Sequence, residues 1–209
     1  MSSPTLLVTG FEPFGGEEVN PSWLAAQGLD GSRIRGHLVV AECLPTVFAS
    51  SLDVLRLAIE RHAPRLVLCV GQSKDESGLC LERVAANWTD ARIPDNAGEQ
   101  PVDLPVIPGA PAGYFSTLPL REALQALHRE GIPARISGSA GAFVCNHVFF
   151  GLMHLLAGRP GTRGGFVHIP FLPEQAVHHA GQASMGLDLA RRGLVRVLEV
   201  GLDAHPGPQ

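Results

Sequence analysis

Short runs of consecutive apolar residues alternate along the chain with longer stretches in which apolar residues recur at helical spacing. The runs at residues 5–9, 38–43 and 66–70 are typical of strands that are buried on both faces. Between the last two runs, residues 47–59 carry apolar side chains every three or four positions, which predicts an amphipathic helix that ends before Pro64. Strand, helix and strand at these lengths form a βαβ unit, so we predict a parallel sheet.

Further elements are predicted from the same periodicities and from the residues typical of helix ends. Asn20 before Pro21 is the cap-then-proline order of a helix start, and it predicts a helix that runs to about Gln27. An irregular segment as long as residues 88–118 usually covers a site, contacts a neighbouring subunit or is mobile. The remaining predictions are strands over 80–87, 134–137 and 165–169, amphipathic helices over 119–130 and 185–202, and an irregular tail from 203.

The stretch from Ser137 to Phe150 changes from small residues to an apolar run at about Ala142. This is typical of a turn that leads from a strand into a buried helix, and it places Cys145 in the first helical turn. Unpaired backbone N–H groups and the positive dipole end favour a thiolate there. A cysteine in such a run is often only a small apolar residue of the core. Because the Gly-rich turn before it lets a substrate approach the backbone, we interpret Cys145 as a nucleophile.

A nucleophilic cysteine needs a base, and His168 is the histidine at the end of a predicted strand, where parallel folds collect catalytic groups. His147 is closer in sequence, but two helical positions turn its side chain roughly 200° away from that of Cys145. Glu82 lies among apolar residues of a predicted strand and needs a partner if it is buried. It either pairs with Arg83 or another arginine at the surface, or it orients the catalytic histidine.

Two aromatic residues, Phe11 and Phe14, lie between glycines in the loop that follows the first strand. The loop matches neither the G-x-x-x-x-G-K-[ST] nor the G-x-G-x-x-G pattern of phosphate-binding loops. The two rings either pack into the core or form the wall of an apolar pocket at the carboxyl end of the strand, where α/β folds bind ligands. Arg92, in the irregular segment, is either a positive group near the site or a partner in a surface ion pair.

Composition narrows the class of protein. With 209 residues, of which 45% are hydrophobic and 17% charged, the chain is predicted to form a single domain over residues 1–209. A formal net charge of −4 without a basic stripe argues against nucleic-acid binding, and the apolar runs are too short to cross a membrane. Four cysteines without a C-x-x-C pair favour neither a zinc site nor a disulfide framework. Since the N-terminus has no signal-peptide pattern, we expect a cytoplasmic protein with free thiols.

Three groups of segments together resemble one family. They are GFEPFGG at 10–16 with NP at 20–21, ERVA at 82–85 with ARIPDN at 91–96, and FVCN at 143–146 with HIP at 168–170 and PEQ at 173–175. In this order, over nearly the whole chain, they resemble pyroglutamyl peptidase type I, a family of cysteine peptidases that remove N-terminal pyroglutamate. The resemblance implies an α/β fold, a three-layer α/β/α sandwich around a twisted mixed, mostly parallel sheet. It also implies a homo-oligomer, commonly a tetramer.

The resemblance assigns roles to particular residues. Cys145 would be the nucleophile, His168 the general base and acid, and Glu82 the third member of the catalytic set. Gln72 would hydrogen-bond the lactam of the substrate, and Arg92 would lie near the oxyanion site. No metal or cofactor is implied, and the partners would be peptides with N-terminal pyroglutamate. The residues implied to bind the substrate are Phe11, Phe14, Asn20, Thr46, Gln72, Arg92, Ile93, Phe143 and Val144.

One segment departs from the pattern of this family. Members often carry Gly-Gly-Arg just after the position of Gln72, where this chain has Ser73-Lys74-Asp75-Glu76. Acidic residues thus replace a basic one, and we expect a different local loop shape. The three catalytic positions are not affected.

Two other functions fit some of these features. A glutamine-amidotransferase-like hydrolase also uses Cys, His and Glu on an α/β fold, but its cysteine usually lies in a G-x-C-x-G turn. Here Val144 and Asn146 flank Cys145 instead of glycines. A non-catalytic protein that binds a small ring, such as a purine, would use the same aromatic pocket, but it leaves Cys145, His168 and Glu82 without a role.

Overall fold

The computed structural model describes residues 4–203 of the chain. The strands in these residues are β1 (Thr5–Phe11), β2 (Arg33–Ile34), β3 (His37–Leu44), β4 (Leu66–Gln72), β5 (Leu79–Glu82), β6 (Val84–Ala86), β7 (Gly113–Phe115), β8 (Ala134–Ser137) and β9 (Arg163–Ile169). The helices are α1 (Pro21–Gln27), α2 (Phe48–His62), α3 (Leu120–Arg129), α4 (Val144–Ala157), α5 (Pro173–Ala176) and α6 (Leu187–Asp203). No helix in this part of the chain is long and apolar enough to span a membrane.

Seven of the strands form one sheet in the order β2-β3-β1-β4-β9-β5-β8. The central strands β3, β1, β4 and β9 run parallel to one another. β5 is antiparallel to β9 and parallel to β8, and the short β2 is antiparallel to β3. The predicted fold, an α/β sandwich around a mixed, mostly parallel sheet, is therefore confirmed.

Helices cover both faces of this sheet. α2 and α4 pack on one face, and α1, α3 and α6 pack on the other. Alternate residues of β1 separate accordingly, since Leu7 joins the core beneath α2 and α4, whereas Leu6 and Val8 join the opposite core. Every residue of β4 is buried, because this strand lies in the middle of the sheet between two helical layers. This explains why the strands are continuous apolar runs in the sequence.

Helix ends follow the signals in the sequence. The Oδ1 atom of Asn20 accepts from the N–H of Ser22 at 3.0 Å, so Asn20 caps α1 and Pro21 is the first helical residue. α2 ends at His62, and the residue that caps it, Ala63, has a left-handed backbone (φ 40°) just before Pro64. The helices predicted from periodicity are all present, and their ends differ from the predicted ones by one to three residues.

The prediction of one strand over residues 80–87 is wrong. β5 ends at Glu82, and the chain leaves the large sheet at Arg83, whose N–H donates to the carbonyl of Ser137 while its own carbonyl accepts from Ser116. β6 pairs instead with β7 in a separate two-stranded sheet. The sequence shows no break here, because both short strands are apolar and only their tertiary partners differ. The predicted alternation of side chains therefore does not extend past Glu82.

Three short elements of two to four residues, β2, β7 and α5, were not predicted. None of them contains a run of apolar residues that would indicate an element. The segment 88–118 is irregular as predicted, apart from β7 and an isolated bridge between Thr89 and Leu104. The predicted tail from 203 falls on the last residue of α6 and on residues 204–209, which lie outside the described residues.

Candidate active site

The start of α4 forms one side of the candidate site. Gly141 has a φ of 79°, which glycine adopts without strain, and the extended Phe143 then leads the chain into the helix. Cys145 is the second residue of α4, in the first turn as predicted. No side chain from the described residues caps this end of the helix. The N–H groups of the first turn are therefore available to a ligand.

His168 lies near the carboxyl end of β9, in the middle of the sheet. Cys80 on the antiparallel β5 is its neighbour in register, and Glu82 lies two residues further along β5, on the same face of the sheet. Nδ1 of His168 lies 2.8 Å from Oε1 of Glu82. Because the carboxylate can only accept, Nδ1 carries the proton of this hydrogen bond, and Nε2 is left for a second partner.

The charge of His168 depends on Cys145 and Glu82. Burial by itself lowers the pKa of the imidazole, but the negative sulfur of Cys145 and its hydrogen bond, followed by the hydrogen bond and charge of Glu82, raise that pKa to about 10. At neutral pH the imidazole is therefore protonated, and it lies between the sulfur of Cys145 and the carboxyl group of Glu82. The three residues come from α4, β9 and β5, and the structure brings them together.

Glu82 is a buried residue and not a surface one. It is 1% exposed, and its hydrogen-bonded partner is His168. The alternative interpretation, in which Glu82 pairs with Arg83 or another arginine on a surface strand, is wrong, because Glu82 is buried and bonds to His168. The second carboxylate oxygen, Oε2, is buried without a hydrogen-bond partner among residues 4–203.

A cavity opens beside Cys145. The ring centroid of Phe143 lies 6.1 Å from that of Phe14. The same ring packs edge-on against Phe48, with centroids 5.4 Å apart. Both interpretations of Phe11 apply, because its ring lines the cavity and is also part of the core, with only 2% of the residue exposed. The aromatic side chains make most of the cavity wall apolar. The residues that line it are Phe11, Phe14, Asn20, Thr46, Gln72, Phe143, Val144 and Cys145.

Gln72 brings an unpaired polar atom to this apolar wall. It is the last residue of β4 and is 9% exposed. Its Oε1 is buried and has no hydrogen-bond partner in the described part of the chain. A buried acceptor without a partner is costly, and a ligand N–H in the cavity would remove that cost.

The polar side-chain atoms of Asn20 and Thr46 mostly form hydrogen bonds within the protein. Nδ2 of Asn20 and Oγ1 of Thr46 both donate to the carbonyl of Glu12, at 3.0 and 2.9 Å. Oδ1 of Asn20 accepts from the N–H and the hydroxyl of Ser22. These bonds shape the loop that carries Phe14, so both residues support the cavity wall as well as lining it.

Arg92 and Ile93 are not brought together with the other predicted residues. Arg92 is exposed, and Ile93 is 44% exposed. Neither lies on the cavity wall. Their contact with a substrate stays a prediction.

Two residues that were not singled out from the sequence hold the elements of the site in place. Asn146 is 1% exposed, and its side chain bonds the backbone of Ala86 and Trp88 at distances of 2.8–3.0 Å. Asp95 is 7% exposed, and its carboxylate accepts from three backbone N–H groups, one of them that of Phe48 at the start of α2. In the sequence, only their place inside the two motif segments distinguishes them from other polar residues.

Comparisons with known proteins find relatives over nearly the whole chain. A family model described as pyroglutamyl peptidase matches residues 4–204. A pyrrolidone-carboxylate peptidase of Gloeobacter violaceus is 56% identical over 195 residues, which cover 93% of this chain and 95% of the relative. A pyrrolidone-carboxylate peptidase of Escherichia fergusonii is 53% identical over 190 residues, which cover 91% of this chain and 89% of the relative.

Solved structures agree in fold. The crystal structure of pyroglutamyl peptidase I from Bacillus amyloliquefaciens matches with a TM-score of 0.93 and 44% identity, covering 97% of this chain and 98% of that one. A mutant pyrrolidone carboxyl peptidase from the hyperthermophile Pyrococcus furiosus matches with a TM-score of 0.92 and 41% identity, covering 95% and 98% of the two chains.

Proposed function

The chain belongs to the pyroglutamyl peptidase family and is a cysteine-type peptidase, and we propose that it cleaves the amide bond after an N-terminal pyroglutamyl residue through a thioester on Cys145. The observation that carries this proposal is that Cys145 belongs both to the group that contains His168 and Glu82 and to the wall of an aromatic cavity. A pyroglutamyl ring held in that cavity would present the exocyclic carbonyl carbon of the scissile amide to the sulfur.

The cavity suits a pyroglutamyl ring. This residue has no free α-amine, and its ring carries one amide, so it needs apolar surfaces for the ring faces and few polar partners. Phe14 and Phe143 supply apolar surface, and the unpaired Oε1 of Gln72 can accept from the ring N–H. A charged N-terminus would lose its hydration at this wall, where no lining residue other than Cys145 could carry a compensating negative charge.

The reaction follows from the charges at the site. The Cys145 thiolate attacks the pyroglutamyl carbonyl carbon, and N–H groups at the start of α4 stabilise the oxyanion. His168 gives its proton to the leaving nitrogen as the C–N bond breaks, which releases the amine and leaves a thioester. His168 then takes a proton from water, which attacks the thioester and frees pyroglutamate and the thiolate. Glu82 holds the imidazole in one tautomer throughout.

Hydrolysis of a fluorogenic pyroglutamyl arylamide tests the proposal. We expect Cys145→Ser to lower kcat/KM by at least about a thousandfold, because the thiolate that forms the acyl-enzyme is lost. Cys43→Ser, a matched change outside the catalytic group and the cavity wall, should retain the activity. Prolyl and alanyl arylamides, which lack the lactam, should be poor substrates. An unchanged rate in Cys145→Ser would exclude the mechanism, and glutamine hydrolysis in place of arylamide hydrolysis would favour the amidotransferase-like alternative.

Alkylation provides a second test of the nucleophile. Burial is the main cause that raises the pKa of Cys43 to about 11 and that of Cys69 to about 12, and it also raises the pKa of Cys80. We therefore expect iodoacetamide at neutral pH to label Cys145 well before the other three thiols, as read by peptide mass spectrometry. Equal labelling of all four cysteines would contradict an activated thiolate at position 145.

The remaining parts of the proposal concern partners and surroundings. Peptides are the substrates of a peptidase of this family, and we infer that those of this chain begin with pyroglutamate. A homo-oligomer, a tetramer by resemblance, and a cytoplasmic location stay predictions; the four cysteines are unpaired, which fits a reducing compartment. The chemistry above needs no metal or cofactor. Among residues 4–203, no three His, Cys, Asp or Glu side chains are grouped so as to hold a metal ion.

A further inference from the structure

The carboxylate of Glu17 joins two segments that are far apart in the sequence. One oxygen, Oε1, lies 2.7 Å from Nε2 of His179, and the other, Oε2, accepts from Nε2 of Gln175 at 2.8 Å. Because a carboxylate only accepts, Nε2 of His179 is the donor in the first contact. We call these two contacts the Glu17 bridge.

Each end of the bridge belongs to a segment that carries part of the site. Glu17 closes a turn in which its N–H donates to the carbonyl of Phe14, the residue whose ring lines the cavity. Gln175 and His179 lie in the segment that follows β9 and therefore His168. The bridge thus connects the aromatic wall of the cavity with the chain that leaves the catalytic histidine.

Both partners are held in place before they meet Glu17. Gln175 is 5% exposed, and its Oε1 accepts from the N–H of Leu172 at 3.1 Å. The ring of His179 stacks on Phe171, with centroids 4.6 Å apart and an angle of 3° between the planes. Mainly the side chain of Glu17 therefore has to be ordered when the bridge forms, which makes the bridge stronger than an exposed pair of two flexible side chains.

We propose that Glu17 is a positioning residue that sets the affinity for the pyroglutamyl ring by holding the Phe14 turn against the segment after His168. This rests on the proposed function. Neither Glu17 nor His179 touches the reacting atoms, so the bridge acts on how well the cavity closes around the ring and not on the chemical step. Loss of the bridge lets the turn move away from the opposite wall, which weakens binding in the ground state and the transition state alike.

Two matched pairs of variants test this inference. Glu17→Gln can accept in only one of the two contacts, and we expect KM for the pyroglutamyl arylamide to rise about tenfold with kcat within about twofold of wild type. Glu18→Gln makes the same change of charge one residue later, at an exposed position, and should leave both constants unchanged. His179→Phe keeps the stacking on Phe171 but removes the donor, and it should raise KM by about threefold. The exposed His178→Phe is its control.

The double variant tests whether the two single changes act through the same contact or independently. Glu17→Gln with His179→Phe should raise KM by less than the product of the two single increases, because both changes break one contact. Hydrogen exchange of residues 12–20 should be faster in Glu17→Gln than in Glu18→Gln, which reports on the turn itself.

The outcomes distinguish this inference from the proposed function. If wild type does not hydrolyse the arylamide, the proposed function fails and the inference fails with it. If wild type is active and Glu17→Gln matches Glu18→Gln in KM and in hydrogen exchange, the bridge has no positioning role. A fall in kcat with unchanged KM would also overturn the inference, because it would mean that Glu17 acts on the chemical step.

Discussion

At position 71, the absence of a side chain makes room for the sulfur of Cys145. A Cβ added to Gly71 would lie 3.0 Å from Sγ of Cys145 and 2.8 Å from the ring of Phe166. The ring centroids of Phe166 and His168 are in turn 4.9 Å apart. A larger residue at position 71 would therefore displace the sulfur of Cys145 or the ring of Phe166, which packs beside His168.

His147 lies in the same part of α4 as Cys145, but its surroundings are different. Its ring packs edge-on against Phe48, with centroids 5.4 Å apart, and its Nδ1 is buried without a hydrogen-bond partner among the described residues. Burial lowers the pKa of this imidazole to about 4. His147 is thus neutral in the folded protein at neutral pH, and it acts as part of the packing between α2 and α4.

This depressed pKa predicts a loss of stability in acid. Between the ordinary histidine pKa of about 6.5 and the folded value of about 4, the unfolded state binds more protons, so stability falls as the pH falls through this range. The loss amounts to at most about 3 kcal/mol. We expect His147→Gln to remove most of this slope in urea unfolding measured at several pH values, whereas the exposed His178→Gln should keep it. Equal slopes in the two variants would contradict a buried, neutral His147.

Among the elements, α4 begins beside the cavity with Cys145 and is mostly buried along the rest of its length. Phe149, Phe150 and Leu152 are fully buried, and a Cβ at Gly151 would lie 2.3 Å from the side chain of Leu52, so α2 and α4 are in close contact there. Asn146 attaches the start of α4 to the backbone around β6. Cys145, the proposed nucleophile, is therefore carried by a well-packed element, as an accurate catalytic geometry requires.

The acidic segment after Gln72 has a partner on a neighbouring element. Nε of Arg135, on β8, donates to Oε2 of Glu76 at 2.8 Å, and Nη2 of Arg135 donates to Oε1. The side chain of Glu76 is 8% exposed and that of Arg135 is 57% exposed. The ion pair attaches the loop between β4 and β5 to the edge of the sheet, which accounts for an acidic residue at this position.

Removal of Arg135 should therefore destabilise the protein. Arg135→Gln leaves the buried carboxylate of Glu76 without its charged partner, and we expect a loss of about 1–3 kcal/mol, less than for a fully buried pair because Arg135 is more than half exposed. Glu76→Gln combined with Arg135→Gln should lose less than Arg135→Gln alone. Asp75→Asn, at an exposed neighbouring position, serves as the control in the same urea titration. Equal stability of Arg135→Gln and wild type would show that the pair contributes nothing.

In the whole molecule, the site is assembled from segments that are up to about 150 residues apart in the sequence. β1, β4 and β9 run parallel, so the loop with Phe14, Gln72 and His168 all lie at the carboxyl ends of these strands. Open α/β sheets bind their ligands at this end. α4 adds Cys145 at the same end of the sheet, and β5, which is antiparallel to β9, adds Glu82. Occupation of the cavity thus depends on the fold as a whole.

Ligand binding should therefore stabilise the entire fold. Free pyroglutamate at about a hundred times its Kd should add about 2.7 kcal/mol and raise Tm by roughly 5–10 °C. Gln72→Leu should bind it more weakly, because the acceptor for the ring N–H is lost, and free proline should have little effect on wild type. Equal shifts with proline and pyroglutamate would mean that the cavity does not recognise the lactam.

Sequence patterns succeeded where the signal was local and failed where it was not. The cap at Asn20, the strand at residues 134–137 and the position of Cys145 in the first turn of α4 each depend on a few consecutive residues. The strand over 80–87 was wrong because an apolar run carries no information about which sheet it joins. Arg92 and Ile93, assigned by resemblance, lie in an irregular segment whose course depends on contacts elsewhere.

By itself, the sequence determined the alternation of buried strands and amphipathic helices, the start of α4 and the family to which the chain belongs, because these depend on the order of neighbouring residues. Only the tertiary structure decided which side chains meet. The contact of Glu82 with His168 spans 86 residues, and that of Glu17 with His179 spans 162. Such contacts follow from sheet order, register and packing, which no local pattern of residues encodes.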